Sequence, residues 1–149
     1  MISEFQNEYR FLSNFWPVPG GVKLEGSKVR FPTVEHAYQA AKVKDITLWR
    51  HVASMSLSRE AKRWGRYITL RADWEHVKLP IMLNLVRQKF ANDPLRSKLL
   101  GTGEHELIEG NHWNDTFWGV CRGVGSNRLG KILMQVRAEL KAAAKEITK

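Results

Sequence analysis

A helical pattern in the stretch FPTVEHAYQAAK, residues 31–42, limits the folds open to this chain more strongly than any other feature of the sequence. Thr33 is a residue type that caps a helix by accepting a backbone N–H. An apolar stripe then recurs at helical spacing, formed by Val34, Ala37, Tyr38 and Ala41. The pattern predicts a helix that packs one face into a core and ends near Asp45.

The same helix carries three polar residues on a second stripe, because Glu35, Gln39 and Lys42 stand three and four positions apart. Glu35 falls in the first turn, where the helix macrodipole stabilises a carboxylate and favours its ionised form. The stripe has two interpretations. It is either an ordinary first-turn acid with polar neighbours, or a set of functional groups held on one rigid helix.

The rest of the chain predicts further helices and a few short strands. The strands are expected at residues 21–26 (GVKLEG), 27–32 (SKVRFP) and 105–109 (HELIE). Two helices are expected at residues 46–54 and from Ser58 to Gly65, which closes the second in a left-handed conformation. A longer helix is expected from a cap at Asp73 through residue 90, with Pro80 as a kink or as its true start. A short helix should follow the Asp93 cap, with Pro94 at its first position and Gly101 after its end, and the last helix should begin at Arg128 after a loop at residues 111–127. The fold class is therefore α+β and mostly helical.

The length and composition suit one domain over residues 1–149, because 149 residues with 43% hydrophobic content can bury a single core. The chain has no run near the roughly 20 apolar residues of a membrane span, and its N-terminus lacks a secretion signal. The lone cysteine, Cys121, agrees with a reducing compartment. These features predict a soluble cytoplasmic protein without a membrane partner. They do not indicate an oligomeric state.

The formal net charge is +9, since 24 Lys and Arg residues stand against 15 Asp and Glu residues. Such a surplus attracts phosphates over long distances, and it also serves plain solubility. The segment NDTFWGVCRGVGSNRLG, residues 114–130, adds a second hint, because a glycine-rich loop that feeds a helix N-terminus can present backbone N–H groups to a phosphate. Arg122, Arg128 and Lys131 supply further donors there, unless they are ordinary solvated loop charges.

The motifs do not support a metal site or a serine hydrolase, since the five histidines are scattered and no GxSxG elbow is present.

Two tryptophans stand beside acids: Trp74 follows Asp73, and Trp118 lies three residues after Asp115. Aromatic faces next to carboxylates suit a flat heterocycle attached to a sugar, but they equally suit a core. The other tryptophans considered, Trp16, Trp49 and Trp64, are expected in the core.

Several short motifs follow one another along the chain: LSNF (12–15), TVEHAYQAAK (33–42), GR (65–66), ADW (72–74), KF (89–90), LLGTG (99–103), NDTFWG (114–119) and GSNRLGKILMQVR (125–137). In this order they resemble the NADAR family of YbiA-like N-glycosidases. The resemblance spans nearly the whole chain and implies a helix-rich α+β fold. It also implies hydrolysis of an N-glycosidic bond of a ribosyl compound with neither metal nor cofactor. The sequence departs from the family at the loop GVCRGVG and at Pro80.

The resemblance implies two catalytic carboxylates, Glu35 and Asp115, although Asp115 also fits a simple turn cap. It places the substrate-binding positions at Asn14, Phe15, Gln39, Lys42, Arg66, Trp74, Trp118, Gly119, Asn127 and Arg128. In this scheme Glu35 stabilises positive charge on the ribose or activates water, Gln39 meets a ribose hydroxyl, and Lys42 or Arg66 meets a phosphate. Which carboxylate serves as acid and which as base stays open.

Family members are similar in cleaving early riboflavin-pathway intermediates or in removing ADP-ribose from guanine bases of nucleic acid. The positive charge favours ADP-ribosylated nucleic acid as the partner of this chain. A small phosphoribosyl precursor of riboflavin is the first alternative. A non-catalytic module that binds ADP-ribose or nucleic acid is the second, and the presence of both Glu35 and Asp115 argues against it.

Overall fold

The computed structural model describes residues 1–147, which form two compact units. One unit consists of residues 14–89, and the other combines residues 1–13 with residues 90–147. Helices supply most of the regular structure in each unit and the strands are short, which confirms the α+β, mostly helical fold class. The single domain over residues 1–149 stays a prediction, and its last two residues lie outside the described residues.

The unit of residues 14–89 is built around its first helix. Its elements in chain order are β1 (Pro17–Val22), β2 (Phe31–Thr33), α1 (Val34–Ala40), α2 (Ile46–Ala53), α3 (Ser58–Gly65) and α4 (Trp74–Lys89). α1 packs against both strands and against the other three helices, so all of its residues are buried. Any polar side chain on α1 is therefore enclosed by the unit.

The predicted start of α1 is confirmed, whereas its predicted end is wrong. The Thr33 side chain accepts a hydrogen bond from the backbone N–H of His36 at 3.1 Å, as a cap does. The helix ends at Ala40, before the expected Asp45. Asp45 instead caps α2, because its carboxylate accepts the backbone N–H of Thr47 at 2.8 Å.

The first strand lies earlier in the chain than predicted, and the second is shorter. β1 and β2 pair antiparallel with an irregular register in which Pro17 faces Thr33 and Val22 faces Phe31. The strand expected at residues 21–26 fails because the backbone N–H and C=O of Lys23 bond to the side chain of Gln88 instead of to a neighbouring strand.

The ends of α3 and α4 also differ from the prediction. Gly65 closes α3, but its φ lies outside the left-handed region, so the predicted left-handed cap is wrong. Asp73 precedes α4, and its carboxylate pairs with Arg71 at 2.6 Å. Pro80 lies inside α4, which begins at Trp74, so Pro80 is not the start of that helix.

The second unit contains two helices, a 3₁₀ helix and two very short strands. Its elements are the 3₁₀ helix Asn7–Leu12, α5 (Leu95–Leu100), β3 (Gly110–Asn111), β4 (Val120–Cys121) and α6 (Arg128–Ile147). The predicted start of α6 at Arg128 is confirmed, and the side chains buried on its apolar face are Leu129, Ile132, Leu133 and Val136.

Short elements of this unit correct three predictions. The strand expected at residues 105–109 is reduced to one isolated bridge between Leu107 and Ile2, because Ile2 pairs there as a single residue and not as part of a strand. Asp93 acts as a cap by accepting the backbone N–H of Ser97 at 2.9 Å, and α5 begins after Pro94 rather than at it. β4 lies inside the segment predicted as a loop, residues 111–127, and pairs parallel with β3 at the start of that segment.

Three tryptophans expected in the core are only half-buried: Trp16, Trp49 and Trp64. The lone cysteine, Cys121, is buried. Within residues 1–147, none of the helices has the length and apolar character needed to cross a membrane. The cytoplasmic location stays a prediction.

A buried hydrogen-bond network ties the start of α1 to its neighbours. The His36 ring contacts Thr33 Oγ1 at 2.7 Å through Nδ1 and the Met55 carbonyl oxygen at 3.0 Å through Nε2. Thr33 Oγ1 in turn lies 3.0 Å from Ser58 Oγ. Burial lowers the pKa of His36 below its ordinary 6.5, although the Met55 carbonyl and the Glu60 charge oppose that shift.

This lowered pKa predicts a pH-dependent stability. The folded protein holds His36 neutral at a pH where the unfolded chain binds a proton, so the contribution is complete above pH 6.5 and declines as pH falls from there toward the folded pKa. Denaturant unfolding measured between pH 8 and pH 5 should show this decline. His36→Gln should flatten it, and His51→Gln at an exposed position of α2 should not. An equal decline in the His36 variant would contradict the prediction.

A candidate active site on the first helix

A buried carboxylate and a buried amide lie together on α1. Glu35 is 7% exposed and Gln39 is 5% exposed, one helical turn further on. Gln39 Nε2 donates a hydrogen bond of 2.8 Å to Glu35 Oε1. A buried carboxylate needs such a partner to offset its lost hydration, so the amide fixes one oxygen of the carboxylate in place.

The other end of the Gln39 amide faces a glycine. Gln39 Oε1 is buried and has no hydrogen-bond partner among residues 1–147, and it lies against Gly65 at the end of α3. The predicted contact of Gln39 with a ribose hydroxyl stays a prediction. What the structure adds is that Gln39 orients Glu35.

Lys42 places a cation beside the carboxylate. Burial lowers the pKa of Lys42 below its ordinary value, the charge of Glu35 opposes that shift, and the charges of Arg66 and Lys62 add to it. The Lys42 ammonium lies 3.5 Å from the Gly65 carbonyl oxygen and 5.7 Å from the centre of the Tyr38 ring. Lys42 thus interacts with the charge of Glu35 and with the charges of Lys62 and Arg66, and the three cations are called the cationic group below.

Lys62 is a residue that the sequence analysis missed. It lies on α3 with its ammonium 5.8 Å from the centre of the Phe15 ring. The available signal was the basic segment of α3, in which Lys62 and Arg63 precede Arg66. Phe15 itself is 42% exposed, so its ring can meet a ligand while it contacts Lys62.

Asn14, which precedes α1 in the sequence, and Trp74, which follows it, both contact that helix. The Asn14 carbonyl accepts the backbone N–H of Glu35 at 3.1 Å. Trp74 is 5% exposed and packs against Tyr38, with 5.2 Å between ring centres. Trp74 therefore supports the helix that carries Glu35, and its role in stacking on a base stays a prediction.

In the second unit, Asp115 has the geometry of a turn cap. Its Oδ1 accepts the backbone N–H groups of Phe117 at 3.2 Å and Trp118 at 2.9 Å. The buried Asn111, which the sequence analysis missed, accepts the N–H of Asp115 and donates to its carbonyl. The cap accounts for the position of Asp115, and its catalytic role stays a prediction.

The predicted phosphate-binding N–H groups at the start of α6 already have protein partners. The backbone N–H groups of residues 126, 127, 128 and 129 donate to the carbonyls of residues 116, 119, 117 and 118, at 2.8 to 3.2 Å. The expectation that the glycine-rich loop presents these groups to a ligand is therefore wrong. The loop folds back and uses them itself.

Other predicted residues of this loop also have structural contacts. Asn127 accepts the Glu109 N–H at 3.0 Å and donates to the Leu107 carbonyl at 2.9 Å. A side chain at Gly119 would collide with the Glu109 carbonyl. The Arg128 guanidinium lies 5.1 Å from the Phe117 ring centre, and Trp118 meets that ring edge-on. Substrate contacts by these residues stay predictions.

The structure thus divides the predicted site residues between the units. Seven of them belong to the unit of residues 14–89: Asn14, Phe15, Glu35, Gln39, Lys42, Arg66 and Trp74. Those of the second unit are Asp115, Trp118, Gly119, Asn127 and Arg128. Across the described residues, no cluster of three or more His, Cys, Asp or Glu side chains is arranged to hold a metal ion.

Comparison with known proteins gives one family. The NADAR domain profile matches residues 2–141. N-glycosidase YbiA of Escherichia coli K12 is 37% identical over 140 residues, which cover 90% of this chain and 83% of that protein. A riboflavin biosynthesis protein of Vibrio vulnificus is 39% identical over 150 residues, which cover 95% of this chain but 38% of that protein.

The fold has a solved counterpart as well. The NMR structure of E. coli YbiA superimposes with a TM-score of 0.80 and 34% sequence identity, and the match covers 98% of this chain and 90% of that one. Family and fold therefore agree with each other.

The two roles of Asp115 can be separated by one substitution. Asp115→Asn keeps a side-chain oxygen for the N–H groups of Phe117 and Trp118 but removes the charge. If Asp115 is catalytic, kcat should fall at least about 10²-fold with an unchanged melting temperature, as expected for the loss of an acid–base group. Steady-state kinetics with a thermal melt measures both. Wild-type kcat in the folded variant would leave Asp115 as a cap only.

Proposed function

The chain belongs to the NADAR family and is an N-glycosidase. We propose that its substrate is a nucleic acid with ADP-ribose attached to a guanine base. The enzyme hydrolyses the bond between C1′ of the attached ribose and the guanine nitrogen, which releases ADP-ribose. The observation that carries the proposal is the Glu35 carboxylate, buried and held by Gln39, with a cationic group beside it. The proposal concerns the substrate, and each of its parts uses a different feature of the site.

Glu35 supplies the charge that the reaction needs. Breaking a C1′–N bond leaves positive charge on the ribose in a transition state that resembles an oxocarbenium ion. A carboxylate held close to C1′ stabilises a charge that exists only in that state, so its contribution appears in kcat. Gln39 holds Oε1 of this carboxylate, so little reorganisation is needed at the moment of reaction.

Lys42, Lys62 and Arg66 give the site an affinity for phosphate. ADP-ribose carries a diphosphate, and the charges of Arg66 and Lys62 already lower the pKa of Lys42, so an anion that enters among them relieves their mutual repulsion. The net charge of +9 extends the same preference to the phosphates of a strand. These cations favour a polyanionic substrate.

The other predicted residues take supporting roles in this proposal. Trp74 and Trp118 offer aromatic rings for the guanine base, and Asp115 offers a second carboxylate that activates water. Stacking of a base on an aromatic ring contributes about 1–3 kcal/mol. In this role the charge of Asp115 acts on the water, in addition to the capping contacts that its oxygen makes within the loop.

A small riboflavin precursor is the second candidate substrate. It is favoured by the Vibrio vulnificus relative, which is named a riboflavin biosynthesis protein and is 39% identical. Such a compound contains the same type of C1′–N bond but fewer phosphates. The chemistry at Glu35 is then unchanged, and only the demand on the cationic group differs.

The salt dependence of kcat/KM separates the two candidates. For an oligonucleotide that carries ADP-ribosyl guanine, the slope of log kcat/KM against log salt should be steeper than about −2, which corresponds to roughly three phosphate contacts on a single strand. The matched control is free ADP-ribosyl guanosine, which has the same bond without the strand and should give a shallower slope.

Two results would overturn the proposed substrate. One is a kcat/KM for a phosphoribosyl riboflavin precursor that exceeds the value for the oligonucleotide, with a shallow salt slope. The other is tight binding of the oligonucleotide without any release of ADP-ribose, which would indicate a binding module.

Removing the charge of Glu35 should remove most turnover. Glu35→Gln keeps the shape of the side chain, so we expect at least about a 10²-fold loss of kcat, or roughly 2.7 kcal/mol of transition-state stabilisation. The matched control is Glu75→Gln on α4, where a largely exposed carboxylate pairs with Lys78 and should leave kcat unchanged. Equal kcat values for folded Glu35→Gln and wild type would refute the assignment of Glu35.

A further inference from the structure

Gly65 has no backbone reason to be a glycine. It is the last residue of α3, and its φ lies outside the left-handed region that favours glycine. Alanine is the better residue in a helix, because glycine loses more conformational freedom when it is ordered there. The reason for a glycine at this position therefore has to lie in its surroundings.

The space above Gly65 is filled by side chains of the candidate active site. A Cβ at residue 65 would lie 2.7 Å from Gln39 Cδ, closer still to Gln39 Oε1, and 3.3 Å from the Lys42 ammonium. Gly101, at the end of α5, offers a contrast. There the nearest atoms to a Cβ are backbone carbonyl oxygens of the preceding turn, at 3.2 and 3.4 Å.

A side chain at residue 65 would displace the whole Gln39 amide. Both Cδ and Oε1 would be too close to the new atom, so the amide cannot stay and merely rotate. Its Nε2 donates the 2.8 Å hydrogen bond to Glu35 Oε1, and that bond breaks when the amide moves. The displaced group is the end of a side chain, so the backbone of α1 and α3 can stay in place, and the cost falls on the Glu35 carboxylate, which loses its partner.

We propose that Gly65 is a positioning residue for the hydrolysis of the C1′–N bond. Its missing side chain leaves the space that holds the Gln39 amide in place, and the amide holds the Glu35 carboxylate. The inference rests on the proposed catalytic role of Glu35. It adds a residue whose contribution passes through two others and which touches no substrate.

The kinetic test is a double-mutant cycle. Gly65→Ala should lower kcat at least about 10-fold, because small displacements of a catalytic group are costly, while KM changes less. In a Gln39→Ala background, the same substitution should change kcat less than about 2-fold, because no amide remains to be displaced. Gly101→Ala is the matched control and should keep the wild-type kcat.

An NMR measurement tests the displacement without relying on activity. The side-chain amide signals of Gln39 should move in Gly65→Ala and stay in place in Gly101→Ala. If they move although the wild-type protein cleaves no C1′–N bond, the displacement is supported and the proposed function is overturned. Unmoved signals, an unchanged kcat in Gly65→Ala, or an equal loss in both backgrounds of the cycle would each overturn the role of Gly65.

Discussion

The hydrogen bond between Gln39 and Glu35 is the interaction on which the candidate site depends. A carboxylate that is 7% exposed has lost most of its hydration, and a partner has to replace it. Both residues lie on a helix that five other elements surround, so the enclosure that makes the carboxylate costly also keeps it oriented. The Thr33 cap and the His36 network fix where that helix begins, and Gly65 leaves room for the amide.

The charges around Glu35 oppose one another. Burial lowers the pKa of Lys42, the carboxylate counteracts the shift, and the neighbouring cations reinforce it. The cationic group carries three positive charges, and those of Arg66 and Lys62 disfavour the protonated form of Lys42. A phosphorylated ligand would offset these charges, whereas a neutral nucleoside would not. In the proposed function, the charge that acts on the ribose and the cations that attract phosphate therefore belong to neighbouring residues of the unit of residues 14–89.

Local rules predicted much of this structure, and contacts distant in sequence account for the failures. The Thr33 cap, the buried stripe of α1 and the start at Arg128 follow from residue types and periodicity. The space requirement of Gly65 depends on a side chain 26 positions away in the sequence, Gln39, so local rules assigned it to a left-handed cap. The buried hub at Asn111 and the backbone pairing that uses up the N–H groups of α6 likewise required the fold.

The loop before α6 caps the N-terminus of that helix with its backbone carbonyls. Four consecutive amides, from residue 126 to residue 129, are bonded to carbonyls of residues 116–119, so the loop cannot lift away without exposing the first turn. Loop and helix start therefore form one cooperative opening unit, and their amide protons should exchange with solvent together. A change in the length of this loop should therefore fray the first turn of α6.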